Sequence, residues 1–294
     1  MNPAATHPLT SAAELAAALA GPRPPVVIEA SFDLAEPTAG ERAWQARRLP
    51  GSVYLHLERD LSGPQTDAAG RFHGRHPLPD RRAFAATLAR AGVTPDRPVV
   101  VLDRQGSVYA ARLWWMLRWM GHADVAVLDG GLAAWTEAGG ATTTEPPADG
   151  PDARTASLPA YPARTPLLAW IEVGQMAEGL GRWRVIDARA PERFRGDVEP
   201  LDRVAGHIPG ALNRCFKDNL AAGGRFKPAD VLRSEFEPLV AGRPAAEIVH
   251  QCGSGVTACH NLLAMEHAGW HGSTLYPGSW SEWSADPARP VARG

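Results

Sequence analysis

Short apolar runs alternate with helically spaced stretches along the whole chain. Val26-Val27-Ile28-Glu29, Val99-Val100-Val101-Leu102 and Val185-Ile186-Asp187 read as buried strands. So does the run Ala246-Glu247-Ile248-Val249-His250 near the C-terminus. Tyr109 to Met120 reads as a strongly apolar helix holding Trp114, Trp115 and Trp119, side chains suited to a core. Ala258 to Met265 reads as a second such helix. A Ser11-x-x-Glu14 capping box opens a short Ala-rich helix at the N-terminus. Strands alternating with helices predict α/β domains built on mainly parallel sheets.

The pattern occurs twice. The strand at Val26 pairs with the strand at Val185, each ending in an acid. Arg48-Leu49-Pro50-Gly51-Ser52-Val53 matches His207-Ile208-Pro209-Gly210-Ala211-Leu212. The strand at Val99 matches the one before Cys252, and Leu128-Asp129-Gly130-Gly131 matches Tyr276-Pro277-Gly278-Ser279. Four blocks repeated in one order predict an internal duplication. Its expected bounds are a first domain over 1–140, a Pro- and Thr-rich linker over 141–166 and a second domain over 167–294. Aligning Tyr109-Ala110-Ala111-Arg112 with Thr257-Ala258-Cys259-His260 sets Arg104 opposite Cys252, so the first half is expected to lack a nucleophile.

Composition narrows the choices. A chain of 294 residues, 45% hydrophobic, supplies two ordinary cores. A formal net charge of -2 offers no polyelectrolyte signature, and no nucleic-acid partner is expected. No apolar run approaches the ~20 residues of a membrane span. The N-terminus has no basic stretch before an apolar one, and the three cysteines are too few for a disulfide framework. The expected location is the cytoplasm.

One cysteine stands apart. Cys252-Gly253-Ser254-Gly255-Val256-Thr257 lies between a strand and a helix. Such a loop aims backbone N–H groups and the positive end of the helix at the sulfur, which favours a thiolate nucleophile. Cys259, further into the helix, and Cys215, with no motif around it, read as packing residues. His250, Cys252, Cys259 and His260 lack the spacing of a zinc site, and no metal or cofactor is expected.

These residues carry a resemblance. Gly206-His207-Ile208-Pro209-Gly210-Ala211, the Cys252 loop and Gly278-Ser279-Trp280-Ser281-Glu282-Trp283 resemble the tandem-domain rhodanese family of sulfurtransferases over essentially the whole chain. The resemblance implies two rhodanese-like α/β domains, each a mainly parallel sheet flanked by helices, with the second catalytic. It implies that Cys252 takes sulfur from a small-molecule donor as a persulfide. The sulfur then passes to a small thiol, cyanide or a thioredoxin-like acceptor. Gly253 and Ser254 stand where thiosulfate enzymes tend to carry an Arg-Lys pair, which favours 3-mercaptopyruvate as donor. Arg193 matches the arginine used against the substrate anion. A second substrate arginine lies further along that loop, where Arg203 is the nearest counterpart in a shorter segment. His76 fits the first-domain histidine that approaches the loop serine, and its acid partner is unassigned, Asp60 lying slightly early. Cys252, Ser254 and His76 are therefore the expected catalytic residues. Arg193, Gly253, Gly255, Val256 and Thr257 are expected to bind substrate, with Thr257 donating its hydroxyl into the loop or capping the helix.

Three other readings compete. Thiosulfate is the alternative donor. A phosphatase on this fold would need an arginine further along a longer loop. A non-catalytic rhodanese-like interaction module would dispense with Cys252.

Overall fold

The computed structural model describes residues 7–145 and 161–294, so much of the expected linker, with Pro146, Pro147, Pro151 and Pro159, lies outside the described residues. The chain forms two compact units. One draws on Met1–Leu61, Pro79–Leu167 and Gly223–Arg225, the other on Ser62–Leu78, Leu168–Ala222 and Phe226–Gly294. Residues 62–78, early in the sequence, thus pack as part of the second unit.

The first unit contains β1 (Leu9–Thr10), β2 (Val26–Glu29), β3 (Val53–Tyr54), β4 (Val99–Leu102) and β5 (Val125–Leu128). They form one sheet in the order β1-β5-β4-β2-β3, with every pair parallel. All four residues of β2 and of β4 are buried, as expected of strands covered on both faces. The helix Val108–Trp119 is buried almost all round, which accounts for its lack of a polar stripe. Trp114 and Trp115 lie in the core, and Trp115 stacks on Trp119 at 6.2 Å between ring centroids. Ser11 and Glu14 form the expected capping box at the helix Ala12–Ala20.

The second unit repeats the plan with β6 (Ala169–Trp170), β7 (Arg184–Asp187), β8 (Leu212–Asn213), β9 (Ile248–Gln251) and β10 (Thr274–Leu275). The order β6-β10-β9-β7-β8 is that of the first sheet, again all parallel. The last central strand starts later than the sequence suggests. Pro244 caps a 3-10 turn over Ala245–Glu247, and the chain extends only from the β-branched Ile248. The helix Thr257–His267 follows the Cys252 loop.

Sheet register corrects one expectation. Glu29 pairs with Leu102, and Asp187 pairs with Gln251. Asp103, and not Arg104, is therefore the counterpart of Cys252, while Arg104 matches Gly253. The helices behind the two loops are buried nearly all round, so their sequences hold no clean amphipathic period to fix the alignment.

Candidate active site

Cys252 leaves β9 at its carboxyl end, where α/β sheets bind ligands. Its backbone is held at both polar atoms. The amide donates to Ser279 Oγ at 3.1 Å, and the carbonyl accepts from Trp280 N at 3.0 Å. Gly253 O accepts from Ser281 N at 2.9 Å, so the first turn of the helix Ser279–Trp283 clamps the start of the loop. Ser279 adopts a left-handed φ of 54°, rare for a residue with a side chain. Its hydroxyl offsets that strain by donating to Tyr276 O at 2.9 Å while accepting from Cys252.

The sulfur is turned toward a loop amide. Cys252 Sγ accepts from Gly255 N at 3.2 Å, and the residue is 2% exposed. Gly255 makes this possible. Its φ is +78°, and a Cβ there would lie 2.3 Å from Pro277 O, so no other residue fits. Val256 holds the helix cap position without a side-chain cap bond, and Thr257 is the first helical residue rather than the cap.

Ser254 and His76 meet inside the second unit. His76 Nδ1 lies 2.8 Å from Ser254 Oγ, and both residues are buried. Residues 62–78 bring the histidine there. Arg75 N donates to Ser281 Oγ at 3.1 Å, Gln65 Nε2 donates to Arg75 O at 3.0 Å, and Gly63 N donates to Pro77 O at 2.9 Å. Asp60 has a different occupation. It accepts from His56 N at 2.8 Å and pairs with Arg59, closing the turn Leu57–Asp60.

Arg193 stands over the residue after the cysteine. A Cβ built on Gly253 would lie 3.5 Å from Arg193 Nη1 and 2.9 Å from Arg75 Nη2. Two guanidiniums therefore cover Gly253 beside Cys252. Arg193 Nη2 donates to Glu199 Oε1 at 2.6 Å, while its Nε is buried without a hydrogen-bond partner. Arg75 pairs with Asp202. Burial pushes the Asp202 carboxyl up, against the pull of Arg75. Arg203 is exposed and belongs to the outside of this loop.

Sequence reasoning missed Arg75, Ser279 and Asp202. Arg75 adjoins His76 in the chain, and that adjacency was the available signal. Ser279 lay in a block that read only as the end of the repeat.

The histidines and cysteines around the loop are dispersed among separate partners. His250 Nε2 faces Met265 Sδ at 3.0 Å, and His260 stacks on Phe226 at 4.6 Å between centroids. Among the described residues, no cluster of three or more His, Cys, Asp or Glu side chains could hold a metal ion. Cys259 is buried, with Sγ donating to Gly255 O at 3.4 Å. Burial raises the Cys215 thiol above its ordinary value.

A cysteine whose sulfur accepts from a loop amide at the carboxyl end of a parallel strand, in one of two repeated α/β units, finds its match among known families. The description "Rhodanese-like domain" fits residues 11–138 and 172–286. The chain belongs to the rhodanese-like family. Within that family, a protein of Pseudomonas aeruginosa named "Probable 3-mercaptopyruvate sulfurtransferase" is 45% identical over 289 residues, covering 97% of this chain and 98% of its own. The "Thiosulfate sulfurtransferase" of Gallus gallus is 34% identical over 265 residues, covering 87% of this chain and 85% of its own. Among solved structures, the 3-mercaptopyruvate sulfurtransferase from Leishmania major superimposes with a TM-score of 0.81 at 27% identity, covering 96% of this chain and 76% of that one. The rhodanese-like assignment accounts for both repeats, since each is matched separately. Among the described residues, no helix is long and apolar enough to cross a membrane.

Proposed function

We infer that this rhodanese-like chain is a sulfurtransferase that accepts sulfur from 3-mercaptopyruvate on Cys252 and passes it to a thiol or cyanide. The observation that carries this reading is the pair of guanidiniums, Arg75 and Arg193, covering Gly253 next to the nucleophile. A carboxylate seated there is held by charge-assisted hydrogen bonds, with the donor's sulfur near Cys252.

The Cys252 thiolate attacks the donor sulfur. A sulfur–sulfur bond forms, the carbon–sulfur bond breaks, and pyruvate leaves as its enolate. The enolate needs a proton at carbon. Ser254, hydrogen-bonded to His76 at 2.8 Å, is the donor in reach, with His76 replenishing it. The loop amides of Gly255 and Val256 hold the charge of the terminal sulfur. A small thiol, cyanide or the thiol of a thioredoxin-like protein then takes that sulfur, and Cys252 returns as thiolate. Donor, acceptor and protons balance both steps, with no redox cofactor or metal in the account. Acceptor thiols belong to a reducing compartment, consistent with a cytoplasmic enzyme and three free cysteines.

Thiosulfate is the second reading, favoured because two guanidiniums also suit a dianion. Intact-mass measurement after exposure to each donor tests both. Mercaptopyruvate should add one sulfur to the protein and none to Cys252→Ser, with kcat/KM higher than for thiosulfate. No gain from either donor would leave a binding module, and faster thiosulfate turnover would reverse the choice of donor.

A further inference from the structure

Six charged side chains of the second unit form an alternating chain. Asp187 pairs with Arg189 at 2.7 Å, and Arg189 reaches Glu199 at 3.4 Å. Glu199 binds Arg193 at 2.6 Å, Arg193 lies 3.5 Å from Asp202, and Asp202 binds Arg75. Three guanidiniums meet three carboxylates, so the set carries no net charge. Its working end is the pair over Gly253, and Asp202 touches both members of that pair.

Asp202 is out of place in a site built only to attract anions. Its side chain is 7% exposed, and it occupies guanidinium edges that a donor could use. It has no part in moving the sulfur or the proton. Its effect depends on the charge of the incoming molecule, because Coulomb repulsion grows with the product of the charges and is poorly screened where water is scarce. A dianion meets twice the repulsion that a monoanion meets. Rejecting a competitor through a placed like charge is a recognised route to specificity.

We propose that Asp202 sets donor selectivity by tuning the Arg75–Arg193 pair to a monoanionic carboxylate and against a dianionic sulfur donor. The inference rests on the reading of Cys252 as the sulfur-accepting nucleophile. Asp202 acts through the two arginines, so it is a positioning residue whose effect falls on KM.

Steady-state kinetics with mercaptopyruvate and thiosulfate at low ionic strength test it, on the intact chain and two variants. Asp202→Asn, nearly the same shape, and the smaller Asp202→Ser should each raise the thiosulfate-to-mercaptopyruvate ratio of kcat/KM about tenfold. The change should lie in the KM for thiosulfate, with kcat held within about twofold, and should shrink as salt is added. A ratio that stays at the wild-type value in both variants, or a parallel loss with both donors, would overturn the inference and leave Asp202 as a prop of its loop. The ratio reads Asp202 whichever donor leads in the wild type. Absence of any sulfur on wild-type Cys252 would instead overturn the reading beneath it, and the inference with it.

Discussion

The two units carry the same loop after the same strand, filled in opposite ways. In the first, the Asp103 carboxylate accepts from the amides of Gln105 and Ser107 through one oxygen, at 2.9 and 2.8 Å. It accepts from Tyr109 and Ala110 through the other, at 2.8 and 3.0 Å. In the second, Cys252 occupies the matching position, with Gly255 N on its sulfur. The oxygens of an aspartate lie two bonds beyond Cβ, as does the terminal sulfur of a cysteine persulfide. The first loop is thus a permanent, covalently supplied version of the charged state that the second would reach only after taking up sulfur. Arg104 completes the contrast. It turns onto Glu29 at 2.6 Å, whereas its counterpart Gly253 carries no side chain and lies directly beneath two arginines. A loop that gathers amides is the common inheritance, and the residue at its start decides whether it is structure or chemistry.

Four substitutions would break or sharpen that contrast. The largest effect is expected at His76, for which the first loop has no equivalent pair, since Gln105 stands at the Ser254 position. His76→Ala should lower kcat with mercaptopyruvate roughly 10²–10⁴-fold, as loss of a general acid does. Thiosulfate turnover should be spared, because sulfite leaves without needing a proton at carbon. Equal losses with the two donors would remove His76 from the proton path. Asp103→Asn comes next. The amide group would turn N–H donors toward two backbone N–H groups, leaving them unsatisfied at a cost of about 2–4 kcal/mol. Urea unfolding should register this with persulfide formation intact, and an unchanged midpoint would deny the nest its stabilising part.

Arg193→Ala leaves one guanidinium over Gly253 and should raise the donor KM by about 1.5–3 kcal/mol of lost contact. An unchanged KM would take Arg193 out of the site. The smallest effect concerns His250, buried where the first unit has Val101. Burial pushes its pKa down to about 3, so the folded chain refuses a proton that the unfolded chain accepts near 6.5. The stability of the neutral form is therefore complete above pH 6.5 and falls as pH drops toward 3, by about 2 kcal/mol at pH 5. His250→Val should flatten the pH dependence of unfolding in that window. A slope identical to wild type would point to other groups.

Much of this was legible in the chain itself. Buried central strands announce themselves as apolar runs, and the duplication is plain because two of its four blocks are such strands and the other two hold turns marked by glycine and proline. The Cys252 loop was legible for the same reason, since Gly255 has neither the φ nor the space for a side chain. The equivalence of Asp103 and Cys252 was not. It depends on hydrogen-bond register between strands distant in sequence, and the adjoining helices are buried nearly all round, with no solvent-facing stripe to anchor an alignment. Arg75 and Asp202 were hidden likewise. Their meaning lies in meeting each other across more than a hundred residues, a fact of packing that no local pattern encodes.

The early segment 62–78 has a practical consequence for anyone wishing to dissect the molecule. A fragment starting at Leu168 would inherit the thiol and its surrounding amides yet forfeit His76 and Arg75, which the chain supplies from before its midpoint. The half that bears Cys252 is not a portable cassette, and gene fusions or truncations that treat it as one would deliver a hook without the hand that baits it.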